Sequence, residues 1–245
     1  MAGWARDSAA YREQHPPRRL SYGPGERNFI DLFEGDRDGP LVVFIHGGYW
    51  MAFDPATWSH LAAGALARGW AVALPAYTLA PGARIAQMAP EVAGAITEAA
   101  ARVDGPIALT GHSAGGHLAA RMICDDGTLP DAVAARITAC VPISPLTDLR
   151  PLLRTAMNDT LRLDGPEAAA ESPALLVPRP DIPVTTWVGG MERPEFIRQA
   201  RLLADIWAGL GAATDCVIDP GRHHFDVIEG LERADSPLLD RLLTP

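Results

Sequence analysis

Ser113 stands in Gly111-His112-Ser113-Ala114-Gly115, a G-x-S-x-G pattern whose spacing answers a demand of geometry. A serine nucleophile carried on a sharp strand-to-helix turn sits in strained backbone, and flanking glycines let strand and helix pass without collision. The context fits that turn. An apolar run, Pro106-Ile107-Ala108-Leu109-Thr110, leads in, and an Ala-rich stretch from Ala114 to Cys124 leads out. A phosphate-binding loop fits less well, because no Lys-Ser/Thr pair follows the glycines. Upstream, His46-Gly47-Gly48-Tyr49-Trp50 follows the apolar run Leu41–Ile45. Acyl transfer places negative charge on a tetrahedral oxygen, and adjacent glycines let backbone N–H groups turn toward it with no Cβ in the way. The expected donors are the amides of Gly47, Gly48 and Ala114, the last being the residue after the serine. A Gly-Gly pair after a strand is by itself an ordinary turn, and it gains meaning from its order ahead of the serine motif.

Such a serine needs a base and an acid that orients the base. Gly221-Arg222-His223-His224-Phe225-Asp226 follows the last expected strand and offers two adjacent histidines, with a helix expected to begin near Phe225. Gly189-Gly190-Met191-Glu192-Arg193-Pro194-Glu195 offers Glu192 within a loop and Glu195 at the start of the next helix. Either carboxylate keeps the order serine, acid, histidine along the chain. Asp181 lies before its strand, and Asp219 is too close to His224 in sequence to be the usual partner. Neither the paired histidines nor the surrounding acids have zinc-ligand spacing, so no metal and no cofactor are expected.

The elements that must position these residues follow from the apolar pattern. The chain has 245 residues, 48% hydrophobic and 21% charged, enough apolar material for the core of one large domain. Strands are expected at 41–45, 70–74, 106–110, 137–143, 183–188 and 214–218. Helices are expected at 55–68 (closed by Gly69), 86–103 (with Pro90 near its start), 114–124 and 195–210. This alternation predicts an α/β architecture: a mostly parallel sheet with helices on both faces and its site at the carboxyl ends of the strands. Residues 1–20 read as an N-terminal arm, extended around His15–Arg19, and 21–245 as a single domain. Within it, the Pro-rich, irregular stretch 145–181 is expected as a small cap over the site. The net charge of −9 argues against a nucleic-acid partner. Cys124, Cys140 and Cys216 make no C-x-x-C pair and read as small buried hydrophobes. The mixed, charged stretch from Met1 to Arg19 is unlike a secretory signal, and no 18-residue apolar window exists. A soluble cytoplasmic protein without membrane partners is expected.

Taken together, these motifs resemble the arylformamidases, or kynurenine formamidases, of the α/β-hydrolase type, which lie near the esterases related to hormone-sensitive lipase. The resemblance is carried by His46-Gly47-Gly48-Tyr49-Trp50, an H-G-G-x-W box, and by Gly111 to Leu118. It continues through Ser144-Pro145-Leu146-Thr147-Asp148-Leu149-Arg150-Pro151-Leu152, Glu171-Ser172-Pro173 and Val188 to Ala200. It ends in His224-Phe225-Asp226-Val227-Ile228-Glu229. It spans about Tyr22 to Leu231. The box is its most specific part, since the lipase-like esterases usually carry a third glycine where this chain has Tyr49.

The resemblance implies the α/β-hydrolase fold, Ser113 as nucleophile, His224 rather than His223 as base, and Glu192 as acid, with Glu195 the alternative. Glutamate stands at 192 where the family typically has aspartate, and Thr147 stands where relatives often have an aromatic residue. The implied reaction is hydrolysis of N-formyl-L-kynurenine to formate and L-kynurenine through a formyl-enzyme. Tyr49 and Trp50 are candidate aromatic walls for the substrate ring, Trp50 alternatively being a core anchor beneath the glycine loop. A carboxylesterase acting on small acyl or aryl esters would use the same residues. A protein of this fold that only binds a ligand would need a broken triad or oxyanion hole, and neither is visible. The expected partner is a small-molecule substrate, and dimers being common among such enzymes, a homodimer is the assembly considered.

Overall fold

Leu41–Ile45, Ala71–Pro75 and Ile107–His112 are buried at every position. Runs of this kind are stable only inside a sheet covered on both faces. The computed structural model, which describes residues 2–36 and 39–244, places them there. Eight strands form one sheet: β1 (Arg18–Ser21), β2 (Phe29–Phe33), β3 (Leu41–Ile45), β4 (Ala71–Pro75), β5 (Ile107–His112), β6 (Ile137–Ile143), β7 (Val184–Gly189) and β8 (Thr214–Asp219). Their order is β1-β2-β4-β3-β5-β6-β7-β8. β2 runs antiparallel to both its neighbours, and every pairing from β4 through β8 is parallel.

Successive strand residues face opposite sides of the sheet, and the core divides accordingly. Leu41, Val43, Ile45 and Leu109 join one apolar cluster with Ile96, Leu118 and Trp207, which come from the helices Ile85–Ala100, Ala114–Met122 and Pro194–Gly209. Val42, Phe44 and Ala108 join a second with Trp58 and with Leu238, Leu239 and Leu242 of the terminal helix Pro237–Leu243. Because β3, β5, β6, β7 and β8 are parallel, the loops after them open on one edge of the sheet. Gly47, Ser113, Ser144, Glu192 and His224 all lie in or beyond those loops. Among the described residues, no helix is long and apolar enough to cross a membrane.

Several elements differ from the expected ones. Residues 55–68 are not one α-helix: a 3-10 segment, Pro55–Ala62, is followed by a single α turn, Ala63–Leu66, before Gly69 at φ +79°. After His224 the chain makes turns and a short 3-10 segment, Glu229–Glu232, in place of the helix expected near Phe225. Pro90 is accommodated within the helix Ile85–Ala100. The stretch 145–181 is irregular, as expected, and holds only short helical turns.

The largest difference is at the N-terminus. Ala2–Gln14 is a helix, and Arg18–Ser21 pairs with β2. Apolar periodicity could not reveal this helix, because polar groups anchor it. Ser8 is fully buried, its hydroxyl bonded to Thr57 O at 2.7 Å and paired with His60 Nδ1 at 2.6 Å. Arg12 donates to Asp31 Oδ2 (2.8 Å) and Ser59 Oγ (3.0 Å), and Arg19 donates to Asp31 Oδ1 (2.9 Å). Asp31, fully buried in β2, thus holds the first helix and the first strand together. Replacing a buried, doubly paired carboxylate strands its partners. Asp31→Ala is therefore expected to cost about 2 kcal/mol of stability, as both arginines keep some solvent contact. The urea midpoint measures this, and an unchanged midpoint would show that Asp31 is not the anchor.

Candidate active site

Ser113 adopts φ +57° and ψ −115°, backbone that L-residues rarely take, at the junction of β5 and the helix Ala114–Met122. The two flanking glycines explain how so sharp a turn closes. A Cβ on Gly111 would lie 2.3 Å from Gly115 O, and one on Gly115 would lie 1.9 Å from Ile45 O. The Ser113 amide donates to Ile143 O at 2.8 Å, tying the turn to the end of β6. Ala114 opens the helix, where an N–H has no intrahelical acceptor and the helix dipole favours negative charge.

The glycine loop runs directly against this turn. A Cβ on Gly47 would meet His112 O at 2.6 Å and Ser113 Cβ at 3.3 Å. Gly48 takes φ +115°, and its carbonyl accepts from both Met51 N and Ala52 N at 2.9 Å. Tyr49 is 47% exposed and lines the cleft at Ser113. Trp50 does not line it. Only 1% exposed, Trp50 donates Nε1–H to His117 Nδ1 (3.3 Å), and His117 Nε2–H donates to Glu171 O (2.7 Å). Trp50 is thus a core anchor between glycine loop and elbow helix; as an aromatic wall for substrate it is corrected by its burial.

Beyond β7, Glu192 turns back into the structure with its side chain fully buried. Its Oε1 accepts from Ser144 Oγ (2.5 Å) and from Gly189 N (2.8 Å), and its Oε2 is 2.6 Å from His224 Nδ1. A carboxylate at that distance accepts, so the network assigns the proton to Nδ1 and leaves Nε2 of a neutral ring as a base. His224 and Ser113 line the same cleft. His223 is exposed, and its Nδ1 accepts from the amides of Phe225 (3.1 Å) and Asp226 (3.2 Å), which makes it a turn former. Glu195 pairs with Arg198 (2.7 Å) and Gln199 (2.9 Å) on its own helix.

Three neighbours were given no role by the sequence. Ser144 positions Glu192 and itself takes φ +46°; its place just after an apolar strand, as Ser113 follows β5, was the available signal. Phe196 lies against His224, ring centroids 4.2 Å apart. Trp4, from the N-terminal helix, packs on Trp58 (4.7 Å) and Phe225 (5.9 Å) and walls the cleft together with Tyr49 and Phe53. No residue of 145–181 is part of that wall. The cleft holds about 30 Å³, roughly the share of one water molecule in the liquid.

Around His224 the other imidazoles are kept neutral. Burial pushes His112 well below the ordinary histidine range, the nearby His224 adding to the effect, and the two rings lie 4.5 Å apart. Burial lowers His46 and His117 to about 4 each, despite backbone hydrogen bonds that work the other way. Among the described residues, no cluster of three or more His, Cys, Asp or Glu is placed to hold a metal ion.

An eight-stranded sheet with a serine on a strained elbow after β5, and an acid–histidine pair after β7 and β8, defines an α/β-hydrolase. Residues 42–177, more than half of the chain, match the family described as the alpha/beta hydrolase fold, and the chain belongs to that family. Within it, the chain is a relative of the kynurenine formamidases. It is 30% identical over 237 residues to that of Danio rerio (91% of this chain, 79% of the relative). It is 28% identical over 239 residues to that of Salmo salar (91% and 80%). Among solved structures, it is 50% identical to a candidate thioesterase from Silicibacter sp., with TM-score 0.92 over 98% of this chain and 91% of that one. An esterase from Pyrobaculum calidifontis shares the fold at 20% identity, with TM-score 0.74 over 98% and 91%.

The buried imidazoles set a pH dependence. Unfolded, His46 and His117 protonate near 6.5; folded, they resist protonation until about 4. Between these values the unfolded state binds more protons, so stability is full above pH 6.5 and falls as pH drops toward 4. The loss is about 3 kcal/mol per imidazole across the window. Urea unfolding at pH 7.5 and 4.5 should show it as a lower midpoint in acid; equal midpoints would contradict it.

Proposed function

We propose that this hydrolase works through Ser113 and cleaves N-formyl-L-kynurenine to L-kynurenine and formate. The observation that carries the mechanism is the buried Glu192 held against His224 Nδ1, which leaves Nε2 available in the cleft shared with Ser113. His224 takes the Ser113 proton as Oγ attacks the formyl carbon. The amides of Gly47, Gly48 and Ala114 receive the oxyanion. His224 then passes its proton to the arylamine nitrogen as the C–N bond breaks. A water, deprotonated in turn by His224, attacks the formyl-enzyme and releases formate. Glu192 stays ionised throughout, orienting the ring and stabilising the imidazolium. An anilide nitrogen is a poor leaving group, so the second proton transfer matters more than it would for an aryl ester. The formamide as substrate is supported by the kynurenine formamidases that align along 91% of the chain.

A second reading, cleavage of small esters or thioesters, is favoured by the 50% identity to a candidate thioesterase. Comparing kcat/KM for N-formylkynurenine, p-nitrophenyl acetate and acetyl-CoA separates the two. Formamide turnover within an order of magnitude of the best ester supports the proposal. An untouched formamide beside brisk ester or thioester cleavage would sink it in favour of the second reading. Ser113→Ala should abolish turnover of every substrate, and unchanged turnover would remove the serine mechanism.

The acid has its own test. Glu192→Gln should lower kcat about 10³-fold, because the ring loses its charged partner and its tautomer. Ser144→Ala should lower it about tenfold, by freeing one carboxylate oxygen. If Glu192→Gln retained full kcat, the acid would have to be sought elsewhere.

A further inference from the structure

The cleft at Ser113 is far smaller than the several hundred Å³ of an ordinary ligand pocket. It is narrow beside the serine, walled by aromatic side chains that include Trp4, Tyr49 and Phe225. A second cavity of about 620 Å³ adjoins the same tryptophan, Trp4, and is lined by Trp187, Asp219, Arg222 and Glu232 among others. Trp4 is the one residue common to both linings. Its indole is tilted against both Trp58 and Phe225, ring centroids 4.7 and 5.9 Å away, and contributes to the walls of both spaces. The cleft's other aromatic rim points outward: Tyr49 is 47% exposed and Phe225 42% exposed.

We infer that Trp4 is a specificity-determining residue, which limits the acyl group at Ser113 to about one or two carbons and leaves the leaving group against the exposed rim of Tyr49 and Phe225. This rests on the serine-hydrolase reading and deepens it. A longer acyl chain must extend past the serine into space the indole occupies; a large aryl leaving group has no such need. The position of Trp4 depends on the helix Ala2–Gln14, whose buried Ser8 and half-buried Arg12 fix it on the 3-10 segment Pro55–Ala62 and on Asp31. Removing the indole joins the small cleft to the cavity behind it, and chains of four to six carbons then have somewhere to go.

The test holds the leaving group constant and varies the acyl chain, using p-nitrophenyl acetate, butyrate and hexanoate. In the wild-type protein, kcat/KM should fall at least about a hundredfold from acetate to hexanoate, since a single misfitting methylene can cost tenfold or more. In Trp4→Ala the butyrate-to-acetate ratio should rise at least about tenfold, with Trp4→Phe in between. A wild-type protein that cleaves hexanoate as fast as acetate overturns the inference without any variant. So does a ratio unchanged in both variants while turnover still depends on Ser113. If Trp4→Ala does not fold, Trp4→Phe and the wild-type series decide alone. A wild-type protein that cleaves none of the esters and no formamide overturns the serine-hydrolase reading and the inference with it. An active wild-type protein with no acyl-length dependence overturns the inference alone.

Discussion

The helix Ala114–Met122 meets the end of β3 so closely that a methyl group at Gly115 would lie 1.9 Å from Ile45 O. Much of the site follows from this approach. It turns the chain sharply enough to present Ser113 at the carboxyl end of β5 in left-handed backbone, next to the loop of Gly47. That loop can lie flat against the elbow only because Gly47 has no side chain to strike His112 O. Trp50 and His117 then join loop to helix through a buried hydrogen bond, so that the glycine loop and the Ser113 turn are held against one another. Preorganisation of this kind is what an oxyanion site needs, because donors already in place cost nothing to reorient during reaction.

A different economy governs the charges. Four imidazoles lie at or near the elbow, those of His46, His112, His117 and His224, and only His224 has a carboxylate at hydrogen-bond distance. Burial keeps the other three neutral, so they act as polar packing around the one ring that meets a carboxylate. The glutamate at 192 reaches that place by folding back on its own strand end. Its Oε1 is held by Gly189 N three residues earlier and by Ser144, just past the adjacent strand β6, so two donors fix the longer side chain in place.

Six of the eight strands and the serine elbow were readable because they are written in local patterns: apolar runs, glycines at fixed offsets, and a histidine and an acid after late strands. The ends of those six were placed within a residue or two for the same reason, whereas β1 and β2 were not among the expected strands. Which histidine meets the carboxylate could not be read from pattern, since His223 and His224 are neighbours of one chemical type. The structure distinguishes them by where each ring goes, one into a turn and one onto Glu192. The N-terminal helix was not readable, because its contacts are long-range and polar: Ser8 to His60, Arg12 to Asp31. Hydrophobic periodicity carries no trace of such contacts. Trp50 was ambiguous in sequence because an aromatic residue beside a glycine loop suits a core as well as a pocket, and only its burial decides.

The helix that supplies Trp4 also determines what can be attached to the protein. Because Trp4 walls the cleft, the helix Ala2–Gln14 has its first turn close to the reacting groups. An affinity tag or fusion partner placed there would crowd the mouth of the cleft or pull at the indole. The terminal helix Pro237–Leu243 packs by its leucines into the second core cluster and contributes to the cleft wall nowhere. Handles for purification or immobilisation therefore belong at that end, which lines the second cavity through Pro237 and Leu238 but stays clear of the cleft at Ser113.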